Sequence, residues 1–496
     1  VPNVRSRRSR VLFAVACAAI GARAVAGSEL VGAGDIALRH EVQLLADAGV
    51  LRAPVSGWAL SGDDLQPSAG AAEAERFSAA LRSLARYSQP GLTWSVGVSG
   101  INEPFRLRSF ETVPREEAQQ TAGLRWTSDR LALAVNLTHV GDPSDGSDWR
   151  LDGSYVGVAL GNWIVAASAA DRWWGPGWDG SLILSNDARP IPALTLHRRQ
   201  ARPMRIPGLR WIGPWTTQIL LGQLESDRAR ANARLFGWRF GFRPVPKLEI
   251  GFTRTAQWCG TGRPCDLSTF ADLLTGLQDN PGERGVSKSS DPGNQLAGFD
   301  LRYAFSVLRQ PLAFYGQRIG EDERDGLPSA WLSLFGIETW KQPSRTGSSY
   351  RIHVEYAETT CGETHFGCAY NHTTYTDGYR YRGRPIGHPL DGDGTMTSLG
   401  VLFVTGAGHS WNLLARHAEI NRGNDPRNTL SLRKQRLLSL ELSHRRYFAA
   451  GMLAFGVSRE QGEYADDGSK VDQSRLFVSW TWMPGRTQGA ARPIGE

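Results

Sequence analysis

The sequence predicts an antiparallel, all-β transmembrane barrel of about 18 strands, preceded by a small α-helical domain. Three observations carry that expectation. From about Leu92 onward, apolar and polar residues alternate in short bursts, the period of a strand with two unlike faces. The connections between bursts run short, then long, then short, as tight turns at one barrel end and loops at the other require. A basic stretch followed by an apolar run opens the chain, the pattern of an export signal.

In that opening, Arg5, Arg7, Arg8 and Arg10 precede the run Val11–Ile20, and Ala24, Val25 and Ala26 supply a small-x-small cleavage site. Residues 1–26 are expected to be a secretory signal peptide cut before Gly27. Cys17 lies in the apolar run, but Ala14 stands where a lipoprotein signal prefers Leu. Removing the signal takes away five arginines and no acids, so the formal charge drops from +7 by five to +2. The pI of 9.3 is therefore no argument for nucleic acid as a partner. Hydrophobic content is 41% and mean hydropathy −0.33, and no run of 18 apolar residues occurs. That excludes a helical membrane protein and leaves a barrel open, because only alternate strand residues touch lipid. Seventeen Trp suit interfacial girdles or sugar-stacking surfaces, and 56 Gly suit tight turns and crowded walls.

Residues 27–90 are predicted to be a periplasmic helical domain. Asp35 can cap a helix with Leu38, Val42 and Leu45 on one face, and Gly49 ends it. A connector from Pro54 to Pro67 leads to a second helix, Ala71 to Tyr87, with Phe77, Leu81 and Leu84 on one stripe. So few helices cannot enclose a large core and are expected to pack on one another and on the barrel rim.

Gln89, Pro90 and Gly91 mark the boundary, and the barrel is expected over 91–484. Ala297, Phe299, Leu301, Tyr303, Phe305 and Val307 share one strand face; Gly298, Asp300, Arg302, Ala304 and Ser306 share the other. Further strands are expected at Arg130–Val140, Arg234–Phe242, Lys247–Thr255, Tyr350–Ala357, Gln435–Arg445, Tyr447–Ser458 and Arg475–Trp482. The row Arg351, His353 and Glu355 implies a polar lumen. Short joints fall near Ser128, Gly161, Pro244–Pro246, Gln310, Gly406–Gly408 and Arg446. Long segments fall at 101–120, 141–150, 170–191, 257–294, 359–394, 421–433 and 459–471. An even strand count then puts the long segments outside the cell and the joints in the periplasm. Residues 198–210 are too long for a joint and 225–232 brief for an outer loop, so one or two strands are expected to be miscounted. Residues 485–496, beyond Trp480, Trp482 and Met483, are expected to form a disordered or overhanging tail.

Four cysteines remain after cleavage, as the close pairs Cys259 with Cys265 and Cys361 with Cys368. Local even pairing in an exported chain predicts two disulfides. Cys361, His365, Cys368 and His372 also have a spacing that would wrap a zinc ion, a reading that oxidising compartments disfavour.

Two segments stand out for chemistry. Residues 171–180 read DRWWGPGWDG and continue through Asn186 to Pro190. Trp173, Trp174 and Trp178, with Asp171, Arg172 and Asp179 beside them, suit a sugar platform, because aromatic faces stack on pyranose C–H faces while polar neighbours bond hydroxyls. The same composition suits an inward loop that plugs the lumen, and both readings stand. Residues 378–394 read GYRYRGRPIGHPLDGDG. There Tyr379, Tyr381, Arg382, Arg384, His388 and Asp391 suit an acidic polysaccharide, guanidinium forks gripping uronate carboxylates. A structural loop laced by salt bridges is the alternative. Asp391 and Asp393 faintly suggest calcium but lack later acidic ligands. No G-x-S-x-G, Walker A or H-E-x-x-H motif occurs, and lumen charges routinely place pairs such as His353 and Glu355 together. No enzyme activity, cofactor or metal is expected.

These two segments, together with residues 38–50 (LRHEVQLLADAGV), resemble the capsule assembly (Wzi) family of outer-membrane proteins across essentially the whole mature chain. The resemblance implies an 18-stranded barrel with a periplasmic helical bundle, and the strand count is not independent of it. It also implies a lectin-like role holding capsular polysaccharide or exopolysaccharide on the cell surface. The partners expected are that polymer and outer-membrane lipid, with the chain a monomer. The rival function is a porin or polysaccharide-export channel, and a third is an enzyme acting on lipid or glycan.

Overall fold

The computed structural model describes residues 29–67, 77–85, 87, 90–275, 293–324, 327–341, 346–362 and 365–484. The expected signal peptide, the 485–496 tail and the start of the second helix lie outside them. From Gly91–Ile101 to Lys470–Trp482, neighbouring strands pair antiparallel in sequence order. The last pairs with the first, Phe477 opposite Ile101 through Trp482 opposite Val96, and closes the barrel. Trp149–Arg150 and Tyr155–Leu160 both pair with Leu131–Gly141 and share one wall position, so the barrel has 18 strands.

The alternation works as the sequence predicts. On Asn294–Val307, Phe299 and Tyr303 lie exposed on the outer face while Asp300 and Arg302 are buried in the lumen. On Ser349–Glu358 the inward row is Arg351, His353 and Glu355, and the outward row includes Val354 and Tyr356. At the short-turn end Trp94 and Trp482 meet edge to face at 4.7 Å, part of an aromatic belt of the kind that sits at a bilayer interface.

The turns at this end are mostly brief. Leu308 and Arg309 take φ of 49° and 69°, the left-handed pair that matches hairpin twist. The exception is 199–214, which stays long within a correct strand count. At the opposite end, the strand expected to stop near Ser458 runs on to Tyr464, and its partner starts at Lys470. Charged residues made this stretch look like a loop. In fact Glu460 turns inward to Arg475 at 2.9 Å, while exposed Arg459 pairs with Asp472 across the strands.

Asp35 caps α1 (Ile36–Asp47) by accepting the Leu38 N–H at 3.0 Å, and α2 (Ser78–Ala85) packs beside α1. Leu38, Val42 and Leu45 join a buried cluster with Trp58, Phe110, Trp173, Trp174, Trp178, Tyr315 and Tyr379. The hydrophobic core thus sits inside the lumen, ringed by the polar inward face of the wall. Both expected disulfides form, Cys259–Cys265 and Cys361–Cys368, which consumes the thiols a zinc site would need.

Candidate functional site

Three segments fill the lumen: 29–67 from the short-turn end, 169–192 at mid-height, and 359–362 with 365–394 from the long-loop end. A polar group taken out of water needs an internal partner, and wall side chains supply many of them.

From the N-terminal segment, Asp47 binds Arg302 at 2.6 Å. His40 accepts from Arg351 Nε at Nδ1 (3.1 Å), leaving its Nε2 facing Ser349 Oγ at 3.0 Å. Glu249 accepts the backbone N–H groups of Val55 and Ser56 at 2.9 and 2.8 Å. Gln218 donates to the carbonyls of Gly57 and Ala59 at 2.6 and 3.0 Å and accepts from Trp174 Nε1 at 2.9 Å. Gly57–Trp58 also pairs antiparallel with Trp173–Trp174, joining the first segment to the second.

The second segment folds back on itself over Gly175 to Gly180. Glu355 accepts the N–H groups of Trp178, Asp179 and Gly180 at 2.7, 3.2 and 2.8 Å, and the Tyr315 hydroxyl at 2.9 Å. That leaves it a structural anchor, with His353 stacked near Trp178 at 6.0 Å. Trp178 Nε1 donates to Glu338 at 2.6 Å, and Arg39 and Arg351 lie over its ring at 4.3 and 4.8 Å. Asp179 is gripped by Arg416 at 2.7 Å. Arg172 donates to the carbonyls of Ser168 and Ile191 at 3.0 Å. A β-carbon on Gly180 would collide with the His388 ring, so glycine lets the outer segment come this close.

The outer segment interlocks with the second. Tyr379 and Tyr370 donate to the carbonyls of Ile183 and Leu182 at 2.9 and 2.6 Å, and the Ser185 N–H reaches the Ile386 carbonyl at 2.9 Å. Asp391 pairs with Arg380 at 2.7 Å and accepts from Thr429. The His388 N–H donates to Tyr370 at 3.0 Å. The two segments that the sequence singles out separately therefore form one unit.

Within it, Arg172, Trp173, Trp174, Trp178, Asp179, Tyr379, Tyr381, His388 and Asp391 are buried. Arg382 and Arg384 stay nearer the surface, with side chains 27% and 30% exposed. Arg384 binds Asp187 at 2.5 Å, whereas Arg382 makes looser contacts, with the Asp145 carboxylate at 3.8 Å and the Asp145 carbonyl at 3.4 Å. Asp171 lines an off-centre cavity of about 490 Å³ between these segments and the wall, together with Asp35, Arg115, Asp152 and Arg445. Burial lifts the Asp171 carboxyl to about 6, against the pull of Arg115 and with a push from Asp152. The anchors Arg39, Gln218, Glu249, Gln317 and Arg416 escaped sequence reasoning; inward strand parity is the signal that marks the wall members among them.

Residues 91–474 match the family described as capsule assembly protein Wzi. An uncharacterized 55.8 kDa protein in the cps region of Klebsiella pneumoniae is 32% identical over 417 residues, covering 81% of this chain and 79% of that protein. The fold is similar to that of Escherichia coli Wzi, described as an outer membrane protein involved in group 1 capsule assembly and a carbohydrate-binding β-barrel. That likeness has a TM-score of 0.79 and 26% identity over 91% of this chain and 99% of the other.

Two outcomes follow from the lumen contacts. Glu338 accepts from Arg302, Arg351 and Trp178, each at 2.6 Å. Glu338→Ala takes from buried Arg351 its close carboxylate, while Arg302 keeps Asp47, and should cost about 3–5 kcal/mol in a denaturant titration. Arg459→Ala, at the exposed pair with Asp472, should cost less than about 1 kcal/mol. The second concerns pH. Asp171 holds its proton more tightly folded than unfolded, so its destabilising effect grows from the ordinary value of 3.8 to about 6 and is full above that. Asp171→Asn should therefore flatten stability across that window and add about 1–3 kcal/mol at pH 7, read from thermal unfolding at several pH values.

Proposed function

Because the chain belongs to the capsule assembly protein Wzi family, we propose that it binds capsular or extracellular polysaccharide and holds the polymer on the bacterial cell surface during capsule assembly. The observation that carries this reading is the full-length likeness to a barrel described as carbohydrate binding. The filled lumen agrees with it, since a tether needs a firm platform and a channel needs an open path.

In this reading the protein sits in the outer membrane, in contact with its lipid, with the short turns at the periplasmic side, residues 29–67 filling the lumen from that side, and the long loops at the surface. It works as a monomer, in keeping with a wall that closes on itself. Arg382 and Arg384 are the residues that grip the polymer, through guanidinium forks suited to uronate carboxylates. The buried members of the two motifs hold those arginines in place and do not themselves touch sugar. Each contact is weak, and repetition along the polymer supplies avidity. The protein is a binding module with no chemical step: Glu355, the carboxylate best placed for one, is spent on backbone N–H groups.

Arg382→Gln with Arg384→Gln should lower binding to an acidic polysaccharide about tenfold while the unfolding transition stays put. In cells lacking the protein, cell-attached polymer should fall and released polymer rise; unchanged attachment counts against tethering. In planar bilayers the wild-type protein should show no steady single-channel current, whereas a porin would conduct.

A further inference from the structure

Residues 199–214 are the long connection at the end where turns are otherwise brief, and their chemistry is unlike the rest of that rim. We propose that this loop is a lipid-docking element that takes anionic phospholipid headgroups from the leaflet at the short-turn end of the barrel. Ile206, Leu209 and Trp211 are 59%, 37% and 61% exposed, although they occupy a connection where polar residues are expected. From Arg198 to Trp215 the chain carries five arginines and no acidic residue. Among the described residues Arg205 and Arg210 have no ion-pair partner. Arg199 turns away to Asp63 at 2.5 Å, and Arg198 covers the Trp215 ring at 3.6 Å.

The position of the loop selects the partner. Trp211 packs edge-on against Phe242 at 6.0 Å, and Phe242 continues outward through Phe240 and Phe252 at 5.7 and 6.3 Å. That row belongs to the outer face of the wall, so the loop extends the lipid-facing surface at the height of the aromatic belt. Its shape is built rather than slack. Pro203 and Pro214 bridge across its neck, the Arg243 N–H donates to the Pro214 carbonyl at 2.9 Å, and a 3-10 turn at Arg210–Ile212 buries Ile212. Gly213, at φ 68°, brings the neck so near the Arg243 carbonyl that a β-carbon would collide with it. The apolar tips can then enter the acyl boundary while Arg202, Arg205 and Arg210 bond phosphate oxygens, the pairing that interfacial amphipathic segments use.

The test is native mass spectrometry of the full chain released from mixed micelles containing chain-matched phosphatidylglycerol and phosphatidylethanolamine. The wild-type protein should retain phosphatidylglycerol about tenfold more than phosphatidylethanolamine, and the preference should shrink as salt rises. The R202Q/R205Q/R210Q variant should lose the preference with its β-sheet circular dichroism intact. W211S should retain less of both lipids. An R427Q/R433Q/R436Q variant, altered at the opposite end, should behave as wild type. Absence of a preference in the wild-type protein, or its survival in R202Q/R205Q/R210Q, overturns the proposal; the former is the result expected if the loop faces an acidic protein instead. Polysaccharide binding is measured separately, so the two readings fail independently.

Discussion

An 18-stranded barrel encloses more space than its own inward side chains can occupy, and how that space is filled governs everything else in this molecule. Water could fill it at no cost in backbone entropy. Here peptide fills it instead, and every N–H and C=O carried inside must find a partner there. The wall meets that demand with long polar side chains at fixed height: Glu249, Gln218, Gln317, Glu355 and Arg416 each bind backbone or side chains of the filling segments. The charged rows that would line a water channel in a porin act here as brackets.

The consequence is rigidity. Trp178 is held at once by Glu338, by the guanidinium groups above its ring and by Glu355 beneath its backbone. The second filling segment cannot shift without breaking bonds to strands on opposite sides of the barrel. Because the outer segment interlocks with it through Tyr379, Tyr370 and Ser185, the long-loop surface inherits that stiffness. A surface that keeps its shape loses little entropy on binding, which favours many small contacts with a repetitive polymer.

Most of the fold was readable because strand parity is local. Phe299 and Asp300 differ in fate for a reason visible in two adjacent letters, and the cap at Asp35 and the cysteine pairs depend on spacings of a few residues. The site was less readable because its contacts are not local. Asp179 meets Arg416 across 237 residues and Arg39 meets Pro176 across 137, so no window along the chain reveals either. Aromatic and charged residues together describe a sugar platform and a lumen filling equally well, and only three-dimensional placement separates them. Residues 198–210 looked like a counting error, yet the strand count was right and the misfit belonged to the loop itself.

The end of α1 that carries Asp35 is tied to the far end of the chain. The Tyr447 hydroxyl donates to Asp35 at 2.5 Å and Arg445 pairs with it at 3.1 Å, three strands from the C-terminal side of the seam. One carboxylate thus fastens the start of the lumen filling to a wall strand 412 residues further along the chain. Neither can be displaced alone, since parting them would leave the Arg445 guanidinium and the Asp35 carboxylate without each other inside the barrel.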